Sequence, residues 1–231
     1  GVGVSGYVLD CLEQCISIAA IAIKDGYEHF DELSVPEAVQ ITANISALQS
    51  CLPRLFGAVC RGLCHMGMIS EEQLNKTFEY AEETLSRADK ACDAQVAGMF
   101  NSVYELCRNK IDTLLHFSLD NFQWVARSAR DSPNTYCESV IEYLRTIFKC
   151  LRSLDEGSKA GLHFSCCGHI SERLVMLVAG KIEDGDNNAS GENSSLRPIS
   201  KIDAYGLKNL SIDVAEFESF ADGTGIPQLR E

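Results

Sequence analysis

Residues 70–115 read SEEQLNKTFEYAEETLSRADKACDAQVAGMFNSVYELCRNKIDTLL. Apolar side chains fall at Leu74, Phe78, Ala81, Leu85, Ala88, Cys92, Val96, Met99, Val103, Cys107, Ile111 and Leu114. Every step is three or four residues, the period of one helix face and not the alternation of a strand. Ser70 and Gln73 have the spacing of a capping box, in which a hydroxyl and an amide satisfy backbone N–H groups that the first turn leaves unpaired. From Met68 to Ser132 there is no proline and a single glycine, Gly98, so nothing interrupts the helix. About 45 residues at 1.5 Å each make a rod of roughly 65–70 Å. A helix of that length needs neighbours to cover its apolar stripe.

The flanking sequence supplies them. Val4 to Ile23 reads as one helix. Ser34-Val-Pro-Glu37 is a second capping box with proline in the first turn, opening a helix to about Gly62. Pro53 is expected to kink or divide it. Pro133 begins a helix through Tyr136, Val140, Leu144, Ile147 and Leu151, with Gly157 as its end. Leu162 to Val178 carries a further stripe. A last helix holds Leu207, Leu210, Val214, Phe217 and Phe220, with Lys208, Asp213, Glu216 and Glu218 mainly around its other sides. The segment 183–198 is acidic, rich in Asn, Ser and Gly, and aperiodic, so a flexible loop is expected there. No hairpin signal occurs. The expected fold is all-α: long antiparallel helices in one or two stacked bundles, divided into a bundle over 1–132 and a C-terminal bundle over 133–231.

Composition narrows the function. Twenty Lys and Arg against 33 Asp and Glu give a net charge of −13, which argues against non-specific attraction to nucleic acid or anionic lipid. No run approaches 18 uninterrupted apolar residues; the best, Cys15 to Ile23, is about half that, so no membrane span is expected. No basic stretch precedes an apolar one at the start, so no signal peptide is expected, and a first residue of Gly fits a fragment. Eleven cysteines, an odd number in a long chain, point to reduced thiols in the cytosol.

The phosphate-loop, dinucleotide, zinc-protease, hydrolase and EF-hand motifs are all absent, so no enzyme activity is expected, and no cofactor. Cys60, Cys64 and His65 form one Cys/His group, and His163, Cys166, Cys167 and His169 another. Joined in space they would offer soft ligands for zinc. Cys60 and Cys64, like Cys11 and Cys15, have the i, i+4 spacing of neighbours on a buried helix face, and core cysteine is the reading preferred; a metal or redox protein is the alternative. His29 and His116 are read as structural histidines, Trp124 as a packing anchor between helices, and Glu82, Glu83, Asp89 and Asp93 as a solvated face.

Four stretches carry a resemblance. They are Gly168-His-Ile-Ser171 followed by Leu174-Val175; Gly206 to Ala221, with Asp213, Val214, Glu218, Phe220 and Ala221 in the pattern Asp-apolar-x-x-x-Glu-x-Phe-Ala; Leu33 to Leu55; and Tyr143-Leu-Arg-Thr-Ile-Phe148. Together they resemble the C-terminal region of the Sec-fifteen subunit family of the exocyst (exocyst component six in animals), over roughly Tyr7 to Asp222. The resemblance implies a non-enzymatic, helical tethering subunit acting in vesicle docking for exocytosis. It implies a cytoplasmic protein at secretory vesicles and sites of exocytosis, with indirect membrane contact. Its implied partners are a GTP-loaded Rab GTPase, bound through the C-terminal helices, and other exocyst subunits of the Sec-ten type. Carried onto this chain, the Rab-binding residues are Asn209, Ser211, Asp213 and Glu216 at the rim, with Phe217 and Phe220 packing beneath. The alternative is a helical scaffold that contacts only other subunits of the complex.

Overall fold

In a computed structural model of the chain, the residues described are 3–25, 34–120, 122–179 and 196–223. Every regular element among them is helical: α1 (Gly3–Asp25), α2 (Val35–His65), α3 (Glu71–Leu119), α4 (Thr135–Cys150) with a 3-10 turn over Leu151–Ser153, α5 (Glu156–Ala179) and α6 (Ala204–Gly223). The fold is all-α. His29 and most of the acidic segment 183–198 lie outside the described residues. The chain groups into two compact units, Gly1–Val103 and Tyr104–Glu231, each with its own core.

The first unit holds α1, α2 and the N-terminal part of α3. Both expected capping boxes are present. The Ser34 N–H donates to the Glu37 carboxylate at 2.9 Å, and Ser70 and Gln73 exchange bonds of 3.2 and 3.4 Å. Leu9, Ile16 and Ala20 of α1 are buried, with Ile41, Ile45, Leu52, Phe56 and Cys60 of α2 and Ala81, Ala88, Cys92 and Met99 of α3. Two polar positions, Thr77 and Thr84, join the α3 stripe because their hydroxyls donate back to the carbonyls of Gln73 and Tyr80, which removes the cost of burying them. Asp10 accepts from Tyr80 at 2.9 Å and Arg87 at 2.8 Å, linking α1 to α3. Asp89 and Asp93, expected on a solvated face, both accept from Gln49 of α2, at 2.8 and 2.7 Å.

Pro53 does not divide α2, which runs unbroken from Val35 to His65. The proline is exposed, and water can take up the carbonyl that it leaves unpaired one turn back. By length and average hydropathy α1 is capable of crossing a membrane, with 22% of its most apolar 18-residue window buried. Counting only uninterrupted apolar runs missed this. The helix packs one face on α2.

In the second unit, Cys107, Ile111 and Leu115 of α3 are fully buried, as are Val140 and Leu144 of α4 and Leu162 and Cys166 of α5. Gly157 ends no helix. The chain leaves α4 through the 3-10 turn, and Gly157 lies in the first turn of α5, where Asp155 caps the N–H of Ser158 at 2.9 Å. One ionic cluster ties α3 to α5. Asp112 accepts from His169 Nε2 at 2.8 Å and from Arg173 Nε and Nη2, both at 2.7 Å. His169 is 3% exposed. Burial alone would raise the Asp112 carboxyl, but the hydrogen bonds and positive charges of His169 and Arg173 override it and lower it to about 2.

A carboxyl whose folded pKa is depressed contributes stability above its unfolded pKa and loses it as pH falls toward the folded value. The stability gap between the natural chain and Asp112→Asn is therefore expected to shrink from about 2 kcal/mol near pH 5 to about 1 kcal/mol near pH 3. Urea unfolding of both proteins at the two pH values measures it. A gap that does not change with pH would show that the cluster adds nothing ionic.

Candidate functional site

Between α3 and α4 the chain runs irregularly through 122–134. Backbone N–H groups in such a segment find no partners within it, and buried ones need partners elsewhere. Side chains of α6 and of the residue before it provide three. The Asp203 carboxylate, one residue before the helix, accepts from Ala126 N–H at 3.1 Å. Asn209 Oδ1 accepts from Arg130 N–H at 2.7 Å. Asp213 Oδ1 accepts from Asn134 N–H at 2.6 Å. The bonded positions in the segment fall every fourth residue.

Asp213 is the hub. It is fully buried, and its second oxygen accepts from Asn134 Nδ2 at 2.6 Å and from the Tyr136 hydroxyl at 2.7 Å. Asn134 is also the N-cap residue of α4, and its Oδ1 accepts from Arg130 Nη1. One carboxylate thus fixes the end of the segment and the start of α4. Burial first, then the Asp213 charge and hydrogen bond, drive the Tyr136 phenol far above its ordinary pKa. Burial beside the same carboxylate raises the Cys137 thiol to about 12. Both groups are inert structural donors.

The backbones approach closely as well. A Cβ at Gly206 would lie 1.8 Å from the Trp124 carbonyl oxygen, so only glycine fits. Trp124 packs against Phe122 at 4.6 Å between ring centroids and against Tyr136 at 6.5 Å. Phe220 stacks on Phe148 at 5.9 Å, and the Arg145 guanidinium lies over its ring.

These contacts reverse part of the expected helix face. Asn209 and Asp213, expected at the rim, point inward, because the segment's N–H groups need acceptors that apolar side chains lack. Leu207, expected inside with Leu210 and Phe217, is 59% exposed. Phe217 and Phe220 are buried, Ser211 is exposed and Glu216 is half-buried. The outer stripe of α6 is Leu207, Ser211, Ala215 and Glu218, beside Tyr205.

The cysteine and histidine groups have other occupations. Cys60 is buried in the α2 core, His169 is bonded to Asp112, and the Cys166 thiol is raised by its contact with Cys107 and by burial. Burial lowers the pKa of His163, whose ring packs tilted against Phe148 at 3.7 Å between centroids. Among the described residues no group of three or more His, Cys, Asp or Glu is placed to hold a metal ion.

What the fold and site define is an all-α protein whose polar side chains hold helices and an irregular segment together. The chain belongs to the family described as exocyst complex subunit Sec15, C-terminal, whose model matches residues 22–190. It is 22% identical over 195 residues to exocyst complex component 6 of mouse and, equally, of rat. Each match covers 84% of this chain and 21% of the relative, so the chain spans about a fifth of the length of the curated relatives it matches. No solved structure matches.

Asp213→Asn sets an amide NH₂ against a buried donor, and is expected to cost about 2–4 kcal/mol. Denaturant unfolding would show a lower midpoint with unchanged slope. Gly206→Ala is expected to cost about 2 kcal/mol or more by overpacking. A stability equal to that of the natural chain in either variant would disprove the clamp at that point.

Proposed function

We propose that this chain is the C-terminal part of an exocyst tethering subunit, and that α6 docks a GTP-loaded Rab GTPase on secretory or recycling vesicles. The observation that carries the tethering role is family membership over residues 22–190. The Rab reading is supported by the resemblance of the α6 sequence and by the surface itself. Leu207 and Tyr205 are exposed apolar side chains, and the small residues Ser211 and Ala215 follow on the same side, giving a flat face bordered by Glu216 and Glu218. Such a face suits a partner surface whose shape depends on the bound nucleotide, and discrimination then lies in differential affinity for its two states. In this reading Ser211 and Glu216 are contact residues. Asn209, Asp213, Phe217 and Phe220 position the helix from beneath. The role is non-enzymatic and cytoplasmic, and the lipidated Rab provides the membrane contact.

A second reading has its own observation. On α1, Val4, Tyr7, Ile18 and Ile21 are exposed at 63, 72, 65 and 44%, and they fall at heptad a and d spacing. This seam favours packing against a helix of another exocyst subunit, of the Sec-ten type, independently of nucleotide.

Titration of the chain with a Rab GTPase carrying GDP or a non-hydrolysable GTP analogue separates the two. Selective binding of the GTP form is expected. Ser211→Arg and Leu207→Asp are each expected to weaken it about tenfold, or about 1.4 kcal/mol, with unchanged helicity by circular dichroism. Nucleotide-independent binding, or affinity unaffected by both variants, would remove α6 as the Rab surface.

A further inference from the structure

Proline follows a serine or threonine once in the sequence, at Ser132-Pro133. The pair lies in the irregular segment 122–134, two residues before the N-cap of α4. The segment has two sides. Its inner side presents the N–H groups of Ala126, Arg130 and Asn134 to α6. Its outer side is open: Arg127, Ser128, Arg130, Asp131 and Ser132 are all exposed. A kinase needs an extended, accessible stretch around the acceptor hydroxyl, and helices withhold it. Here the backbone is already non-helical, and proline at the next position keeps Ser132 out of the α region.

We propose that Ser132 is a phosphorylation site for a proline-directed serine/threonine kinase. In the transfer, the Ser132 Oγ forms a bond to the γ-phosphorus of ATP. The bond from that phosphorus to the β,γ-bridging oxygen breaks, ADP leaves, and the hydroxyl proton passes to the kinase's general base. The chain has a receptor for the new charge. Arg130, two residues earlier, gives Nη1 to Asn134 Oδ1 and makes no ion pair among the described residues. Its guanidinium has five donors in all, so a phosphate can take two of them in a paired bond. Against this stand Asp131, an exposed carboxylate beside the serine, and the buried Asp213 carboxylate bonded to Asn134. Pairing with the exposed Arg130 guanidinium lets the phosphate order the outer side of the segment while α6 holds the inner side. This site stands independently of whether α6 binds a Rab.

The test uses the whole chain, a purified proline-directed kinase and ATP, with intact-mass and fragmentation measurements. One phosphate per chain on Ser132 is expected, and none in Ser132→Ala. A peptide of residues 127–138 is treated in parallel. Phosphorylation of the peptide but not of the folded chain would overturn the proposal by showing that the fold shields the serine, and failure of both would overturn it by showing that the sequence is not a substrate. The phosphorylated chain is then titrated by phosphorus NMR. The phosphate is expected to titrate below the value of about 6 usual for phosphoserine, and Arg130→Gln is expected to bring it back up. A phosphate that titrates at or above that value in the natural chain would overturn the role given to Arg130.

Discussion

The second unit depends on one buried carboxylate. Asp213 stands in the middle of α6, yet it bonds nothing on its own helix. Its oxygens accept from the backbone and side chain of Asn134 and from the hydroxyl of Tyr136. A charged acceptor buried at this depth is tolerated when every lone-pair direction finds a donor, and is costly otherwise. Here the donors are the N-cap residue of α4 and a fully buried aromatic residue in its first turn. The cap, the helix start and the helix packing are therefore satisfied together or lost together.

Hydrophobic burial does the rest, and it works differently in the two units. In the first, α3 meets α2 and α1 through small and medium apolar residues, with back-bonded threonines filling positions that another protein would give to valine. In the second, α3 contributes Cys107, Ile111 and Leu115 to a core that also carries an ionic tie through Asp112. A carboxylate that accepts from a histidine and from the Nε/Nη2 edge of a guanidinium fixes the rotation of α5 about its own axis, which apolar contact alone leaves loose.

Much of this was legible in the sequence, and the failures have a common cause. The sequence period identifies α3 as one helix and finds the core positions Ala81, Ala88, Cys92, Met99, Val103, Cys107 and Ile111, whereas Leu74, Phe78, Leu85, Val96 and Leu114 are half-buried and Thr77, Thr84 and Leu115 lie in the core beside them. Both capping boxes were read from residue type and spacing. The orientation of α6 was misread in part. A pattern of apolar and polar residues places Asp213 outside, and the resemblance adds Asn209 to the same rim, since neither registers that an irregular segment elsewhere lacks acceptors. The signal that existed was indirect: the stretch 122–134 has no periodicity of its own, and so its N–H groups had to find partners on a neighbour. Gly206 was quoted as part of a family pattern, but its reason, the Trp124 carbonyl lying against it, is a fact of tertiary structure. The misplaced end at Gly157 shows the same limit. Glycine marks the end of one helix and tolerates the first turn of the next equally well.

The clamp between α6 and the irregular segment also constrains how this part of the chain can vary in length. Asp203, Asn209 and Asp213 meet Ala126, Arg130 and Asn134 in order, like teeth of two combs engaged along their length. Adding or deleting one residue between Asp203 and Asp213 rotates everything beyond it by about 100° around the helix. Asp213 would then face solvent and an apolar neighbour would face the Asn134 amide. A substitution weakens one tooth, but a change of register disengages every later tooth at once. Insertions and deletions are therefore confined to stretches outside these two, and within them the spacing is as much a part of the structure as the residues.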